Sequence, residues 1–250
     1  MSTTKVALVT GSGKRRVGSV VADALARAGY AVAVHYRTSV ADTLETVAAL
    51  RSLGVEAEGY RADLTDEAQV KELVRDVRGR FGRIDVLVTA AAVWRRKRLE
   101  DVTAADVRAH FDANTLGTFL CCQHVGLTMV AQPQGGAIVT IGDWAVERPY
   151  LNYAAYFPSK GAIPTLTRTF AVELGTRNPR VRVNCVLPGP VMLPPDLPEA
   201  ERRQAIDSTL VKREGSPENI ALAVLALVAN DYVTGACLPV DGGRSVYAPE

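Results

Sequence analysis

Short apolar runs alternate with amphipathic segments along the chain, and this alternation limits the possible folds more than any other feature. Residues 6–9 are all apolar, which is typical of a strand that is covered on both faces. The next segment repeats apolar residues at helical spacing from Val17 to Ala28, and Gly29 follows as a stop signal. The same alternation continues to residues 84–88. It predicts a parallel sheet with helices on both faces.

The remaining sequence extends this pattern. Further helices are predicted at residues 38–53, 66–80, 103–130, 153–175 and 216–230, and further strands at 31–34, 55–60, 137–141, 181–187 and 237–240. We therefore expect an α/β fold, a Rossmann-like doubly wound parallel sheet of about seven strands, in a single domain over residues 1–250. Residues 188–215 contain five prolines and little clear periodicity, so we expect a substrate loop or lid there.

Composition and charge exclude several classes of protein. Of the 250 residues, 48% are hydrophobic and 22% are charged, as in globular rather than disordered proteins. The 29 Lys and Arg residues nearly balance the 27 Asp and Glu residues, so we expect no nucleic-acid partner. We find neither a membrane-spanning apolar run nor a signal peptide, and we expect a cytoplasmic protein without a membrane partner. The four cysteines form no CxxC or Cys/His cluster, so no metal site is expected.

A glycine-rich turn follows the first predicted strand. Gly11 and Gly13 precede a helix that starts near Val17, and glycines at this place let the backbone approach a pyrophosphate. The helix N-terminus adds N–H groups and positive potential. The match to G-x-G-x-x-G is partial, because Arg16 occupies the place of the third glycine. The position of the turn still predicts a dinucleotide site rather than a purely structural turn.

Basic residues near this turn favour a phosphorylated cofactor. Lys14, Arg15 and Arg16 lie in the loop, and either arginine could contact the added phosphate. The second strand is followed by Arg37, where an acidic residue would bind the ribose hydroxyl of NAD. A guanidinium instead pairs with a 2′-phosphate, so we predict NADPH/NADP+, with an ordinary solvated Arg37 as the alternative. Asp63, after the third strand, could accept from the adenine amino group or cap the next helix.

Tyr156 and Lys160 lie four residues apart, which places them on one face of a helix. A phenol ordinarily has a pKa near 10, too high for acid–base work at neutral pH. A nearby ammonium favours the phenolate and moves the pKa of the phenol towards the working range. The pair is therefore a candidate for proton transfer.

The order and spacing of these motifs resemble the short-chain dehydrogenase/reductase family over essentially the whole chain. The motifs that carry the resemblance are Thr10-Gly11, Asp63, Asn114, Tyr156 with Lys160, Pro188-Gly189 and Val240-Asp241-Gly242-Gly243. The resemblance implies a nicotinamide cofactor, with Tyr156 as the proton donor. It also implies that Lys160 holds the nicotinamide ribose and lowers the pKa of Tyr156, while Asn114 supports a water chain to Lys160. A homotetramer is expected on the same ground.

Some positions depart from the usual family pattern and resemble its pteridine reductase branch, which includes dihydromonapterin reductases. Asp143 stands where the family usually has serine, the glycine-rich loop is basic, and Trp94 follows the fourth strand. The resemblance implies that Trp94 stacks on a pterin and that Asp143 relays a proton with Tyr156. The alternatives are that Asp143 caps a helix or pairs with Arg148, and that Trp94 packs within a loop.

The sequence thus yields three sets of candidate site residues. The candidate catalytic residues are Tyr156, Lys160, Asp143 and Asn114, and the candidate substrate contacts are Trp94, Asp143 and Tyr156. The candidate cofactor contacts are Gly11, Gly13, Lys14, Arg15, Arg16, Val17, Tyr36, Arg37, Thr38, Asp63, Leu64, Ala90, Tyr156, Lys160, Pro188 and Gly189. We expect an NADPH-dependent reductase of a pterin- or folate-like C=N substrate. The alternatives are a carbonyl reductase of a 3-oxoacyl thioester, sugar or xenobiotic ketone, and a non-catalytic NADP(H)-binding sensor.

Overall fold

The computed structural model describes residues 4–247, and the ends of the predicted domain, residues 1–3 and 248–250, lie outside the described residues. Within residues 4–247, seven strands form one sheet in the order β3-β2-β1-β4-β5-β6-β7, and every neighbouring pair is parallel. The strands are β1 (Val6–Thr10), β2 (Ala31–Tyr36), β3 (Ala57–Arg61), β4 (Val86–Thr89), β5 (Gly136–Ile141), β6 (Val181–Pro188) and β7 (Cys237–Val240). The predicted doubly wound sheet is therefore confirmed.

Helices cover both faces of this sheet. They are α1 (Val17–Arg27), α2 (Val40–Ser52), α3 (Glu67–Phe81), α4 (Ala104–His110), α5 (Gly117–Val130), α6 (Tyr156–Gly175), α7 (Glu199–Asp207) and α8 (Pro217–Ala229). Helices α1, α2 and α8 contribute to one core cluster, and α3, α5 and α6 to the other. Successive residues of β1 enter opposite clusters, Leu8 one and Val9 the other, which explains why the whole strand is apolar.

The strand order reverses between β1 and β4, and this reversal determines where a ligand can bind. The chain runs from β1 through β2 to β3 at one edge of the sheet, then returns beside β1 and continues to β7. Loops leave the carboxyl ends of β1 and β4 in opposite directions, which opens a crevice above the sheet. No helix among residues 4–247 is both long and apolar enough to cross a membrane.

The long helix predicted over residues 103–130 is interrupted in the structure. A π-helical turn, Phe111–Leu116, separates α4 from α5 and contains the buried Asn114. Such turns accommodate an extra residue and occur frequently at functional sites. Helix α6 begins at Tyr156 rather than at residue 153, so that Tyr156 lies in its first turn. The segment 188–215 contains α7, and its role as a lid stays a prediction.

Candidate active site

A cavity of about 980 Å³ opens at the carboxyl ends of β1, β4 and β5. Most of the predicted site residues line it, namely Gly11, Arg16, Val17, Arg37, Asp63, Leu64, Ala90, Trp94, Asp143, Tyr156, Lys160, Pro188 and Gly189. The predicted residues that do not line it are Gly13, Lys14, Arg15, Tyr36, Thr38 and Asn114. The structure thus brings the tyrosine, the lysine and the first βα turn to one cavity, whereas part of the basic loop lies outside it.

Two glycines shape the first βα turn. Gly11 has a φ of +64°, and a Cβ built there would lie 2.7 Å from the Cα of Ala91. A Cβ at Gly18 would lie 2.7 Å from the carbonyl oxygen of Gly11. Gly18 therefore lets α1 start against the loop. It takes the part of the third glycine of the motif, although the motif spacing places Arg16 at that position. Gly13 packs away from the cavity, where an added Cβ would lie 2.8 Å from the Cβ of Tyr36.

His35 supports the same turn, and sequence reasoning missed it. The backbone N–H of Gly11 donates to Nδ1 of His35 at 3.1 Å, so Nε2 carries the ring proton and donates to the carbonyl of Ala62 at 3.1 Å. The imidazole is buried, and burial lowers its pKa from 6.5 to about 4. A neutral His35 thus links β2 to the turn that follows β1.

The titration of His35 predicts a loss of stability in mild acid. Between pH 6.5 and 4 the unfolded chain binds a proton at this residue and the folded chain does not, so the free energy of unfolding falls as pH falls. The loss is at most about 3 kcal/mol. Urea unfolding across this range measures it, and His35→Asn should show a shallower dependence on pH. An equally steep dependence in the variant would contradict this assignment.

Arg37 and Asp63 face each other at the cavity edge near β2 and β3. Their closest nitrogen and oxygen atoms are 3.7 Å apart, and both side chains are exposed to solvent. The other carboxylate oxygen of Asp63 accepts from the N–H and hydroxyl of Thr65 at 3.0 and 2.9 Å. Asp66, not Asp63, caps α3. The capping alternative for Asp63 is therefore wrong, and its contact with adenine stays a prediction.

Tyr156, Asp143 and Lys160 meet where β5 ends. The Tyr156 hydroxyl donates to Oδ2 of Asp143 at 2.7 Å, and Oδ1 of Asp143 accepts from the N–H of Ala145 at 2.9 Å. Lys160 Nζ donates to the carbonyl of Ile141 at 2.8 Å. Tyr156 and Lys160 are buried, with exposed fractions of 6% and 4%. Helix α6 supplies the phenol and the ammonium, and the loop after β5 supplies the carboxylate.

Burial governs the pKa values of this group. Burial raises the pKa of Tyr156 well above 10, and the charge of Asp143 and its hydrogen bond raise it further. Burial also raises the pKa of Asp143 and lowers that of Lys160. Burial and the carboxylate set the net direction of the Tyr156 shift, and the predicted lowering of its pKa by Lys160 stays a prediction. The phenol is protonated at neutral pH.

The structure distinguishes the two alternative roles of Asp143, a helix cap and an ion pair with Arg148. One of its oxygens caps the short helical turn Trp144–Val146 while the other binds Tyr156, so capping and contact with the tyrosine coexist. Arg148 does not pair with Asp143. It donates instead to the main-chain carbonyls of Arg244 and Tyr247. The carboxylate is therefore held in place by backbone and available to the tyrosine.

Asn114 lies behind the cavity wall rather than in it. Its amide nitrogen donates to the carbonyl of Val93 at 3.0 Å and to the hydroxyl of Ser159 at 2.9 Å, and its oxygen accepts from the N–H of Val93 at 2.8 Å. Ser159 in turn donates to the carbonyl of Tyr156 at 2.6 Å. Asn114 thus ties the π-helical turn to the loop after β4 and to α6. Its predicted part in a water chain stays a prediction.

Aromatic rings line the cavity near Tyr156. Trp94 stacks on Tyr153 with ring centres 5.1 Å apart and an angle of 4°, and Tyr150 meets Tyr153 edge-on at 5.2 Å. Trp144 lies 6.3 Å from Tyr150. Trp94 could be identified as a site residue from the sequence, whereas Trp144, Tyr150 and Tyr153 were not. Their clustering within residues 144–157 is a signal that could have found them, since only 6% of the chain is aromatic.

Comparisons with known proteins agree with this architecture. Residues 12–245 match the family described as enoyl-(acyl carrier protein) reductase. The chain is 38% identical to the short-chain reductase protein NovJ of Streptomyces niveus (98% of this chain, 95% of the relative), and 33% identical to a 3-oxoacyl-[acyl-carrier-protein] reductase of Synechocystis sp. (98% of each). The structure of acetoin dehydrogenase from Enterobacter cloacae superposes with a TM-score of 0.89 at 30% identity, covering 100% of this chain and 99% of that one. The chain belongs to the short-chain dehydrogenase/reductase family of nicotinamide-dependent oxidoreductases.

Proposed function

We propose that this protein is an NADP(H)-dependent carbonyl reductase that converts a ketone of a small molecule into an alcohol. The observation that carries the proposal is the buried Tyr156 hydroxyl, held by Asp143 at 2.7 Å in the cavity that Lys160 also lines. Because the pKa of Tyr156 is raised, the phenol retains its proton at neutral pH and can donate it to a carbonyl oxygen. Carbonyl chemistry is supported by two relatives, named as a 3-oxoacyl reductase and an acetoin dehydrogenase.

The first βα turn fits a dinucleotide. The backbones at Gly11 and Gly18 leave space that side chains would fill, and the N-terminus of α1 meets the cavity through Arg16 and Val17. The first turn of α1 contains no acidic residue, so its positive end can attract phosphate. When bound, a nicotinamide cofactor supplies the hydride that reduces the carbonyl carbon.

Each residue of the catalytic group has a distinct part in this proposal. Tyr156 donates its proton to the carbonyl oxygen, so that the added hydride and proton together give an alcohol. The Lys160 ammonium, fixed by its bond to the Ile141 carbonyl, stabilises the phenolate that remains and holds the nicotinamide ribose. Asp143 accepts from the hydroxyl and positions it before substrate binds. Asn114 positions Tyr156 through Ser159.

Carbonyl reduction replaces pterin reduction as the preferred activity. The relatives named above lend no support to the pteridine reductase branch, and their names describe carbonyl and alcohol chemistry. One observation keeps pterin reduction as a second candidate, namely the hydrogen bond between Asp143 and Tyr156 beside the stacked ring of Trp94. Membership of an oxidoreductase family argues against the sensor alternative.

A direct assay separates these activities. We expect the absorbance of NADPH to fall with an acetoacetyl thioester or a simple ketone, and not with dihydrobiopterin. Turnover of dihydrobiopterin alone would overturn the carbonyl reductase proposal. Binding of NADPH without turnover of any substrate would favour the sensor.

The choice of NADP(H) over NAD(H) rests on two observations. Arg16 and Arg37 line the cavity, and the residues directly after β2 include no acidic side chain that could bind a ribose hydroxyl. Replacing Arg37 by serine should lower kcat/KM for NADPH by about 10- to 100-fold, because a charge-assisted pair with the 2′-phosphate is lost. The value for NADH should change little. Arg27→Ser, which removes an exposed guanidinium at the far end of α1, serves as the control. A wild-type protein that prefers NADH would contradict the assignment.

We also propose a homotetramer in the cytoplasm. The outer surfaces of α5 and α6 expose large apolar side chains, among them Phe119, Leu127 and Val172, with exposed fractions of 36%, 43% and 65%. Apolar surface of this kind supports association through these helices.

The four cysteines are free thiols, which supports a reducing compartment.

A further inference from the structure

The cavity contains a cation to which the reaction outlined above gives no role. Arg244 follows β7 and lines the cavity on the same side as Trp144 and Tyr150. Its guanidinium lies 4.5 Å from the centre of the Trp144 ring, and its Nη1 donates to the carbonyl of Ala205 in α7 at 2.9 Å. The side chain is therefore held by an aromatic face and a helix end, which leaves its other N–H groups for a ligand.

This guanidinium forms no ion pair among residues 4–247. The neighbouring carboxylates have other partners: Asp241 accepts from the N–H groups of Gly243 and Ser245, and Asp143 accepts from Ala145 and Tyr156. Arg244 is half-buried, and burial lowers its pKa. The charges of Asp241 and Asp143 act on this guanidinium without forming an ion pair with it, so an anion that binds it directly in the cavity would be stabilised there.

We propose that Arg244 is an anion subsite that binds a carboxylate of the substrate, while the aromatic rings beside it hold a flat ring. The substrate class is thus an aromatic ketone that carries a carboxylate. This inference rests on the proposed carbonyl reduction. Trp94, Trp144, Tyr150 and Tyr153 supply the apolar ring faces, and the guanidinium matches a carboxylate in a bidentate geometry.

Matched acids and esters test the subsite. We expect the wild-type enzyme to reduce para-acetylbenzoate with a kcat/KM at least about tenfold higher than that for its methyl ester. Arg244→Gln should abolish this preference, Arg244→Lys should retain part of it, and Arg203→Gln, on the exposed side of α7, should leave it unchanged. Levulinate and its methyl ester test the aromatic part, because they carry the same groups on an aliphatic chain and should be poorer substrates.

A binding measurement separates failure of the subsite from failure of the proposed reaction. Benzoate titrated into the NADPH complex should bind saturably, as followed by NADPH fluorescence, and should lose this binding in Arg244→Gln. Ketone reduction with equal kcat/KM for acid and ester would overturn the subsite and leave carbonyl reduction intact. Benzoate binding through Arg244 without reduction of any ketone would overturn the reaction and support the subsite. If Arg244→Gln does not fold, the subsite is still tested by the preference of the wild-type enzyme for the acid over its ester and by the reduction of that preference in Arg244→Lys.

Discussion

Replacement of Tyr156 by phenylalanine is expected to lower kcat for ketone reduction by about 10²- to 10⁴-fold, the usual contribution of a general acid. The hydroxyl is the protonated group that Asp143 holds in the cavity, and phenylalanine keeps the ring but has no proton to donate. Initial rates of NADPH consumption measure the effect. The affinity for NADPH should change little, because only the hydroxyl is removed.

Tyr60→Phe is the matched control for this substitution. The Tyr60 hydroxyl is buried without a hydrogen-bond partner among the described side chains, so its removal should leave both activity and folding unchanged. Thermal unfolding of Tyr156→Phe checks that the loss of its bond to Asp143 has not disrupted α6. A folded variant that binds NADPH and retains wild-type kcat would show that another group supplies the proton.

The sheet could be predicted because its determinants are local. Parallel strands that are buried on both faces favour continuous apolar runs, and the runs beginning at Val6 and Ala31 became β1 and β2. Gly29 and Gly54 both adopt positive φ just after α1 and α2, which is why glycine there signals a helix end. The spacing of Tyr156 and Lys160 was likewise enough to predict that both lie on one face of a helix, since four residues along a helix return to the same face.

The remaining features depend on contacts between distant segments. The π-helical turn follows from the bonds of Asn114 to Val93 and Ser159, which lie in other elements. The role of His35 is visible only once β2 lies beside β1. The direction of the Tyr156 pKa shift depends on how fully the site is buried, which residue spacing does not report.

Replacing Asp143 by asparagine is expected to shift the pH dependence of catalysis to lower pH. The carboxylate raises the pKa of Tyr156 through its charge and its hydrogen bond, and the amide carries no charge. Asparagine can keep the cap on Ala145 through its oxygen and present an N–H to the tyrosine, which favours the phenolate. Because alcohol oxidation requires Tyr156 to accept a proton, the midpoint of its pH profile should fall by about one unit or more.

The reductive direction gives an independent test of the same pKa. Reduction needs the protonated phenol, so in Asp143→Asn it should begin to decline at a lower pH than in the wild-type enzyme. Glu147→Gln removes an exposed carboxylate from the same loop and should leave both profiles unchanged. Profiles that do not move, or that move to higher pH, would show that Asp143 does not control the proton of Tyr156. The expected result at one alkaline pH is that Asp143→Asn oxidises the alcohol faster and reduces the ketone more slowly than the wild-type enzyme. This result would show that the carboxylate of Asp143 favours reduction by keeping the phenol protonated.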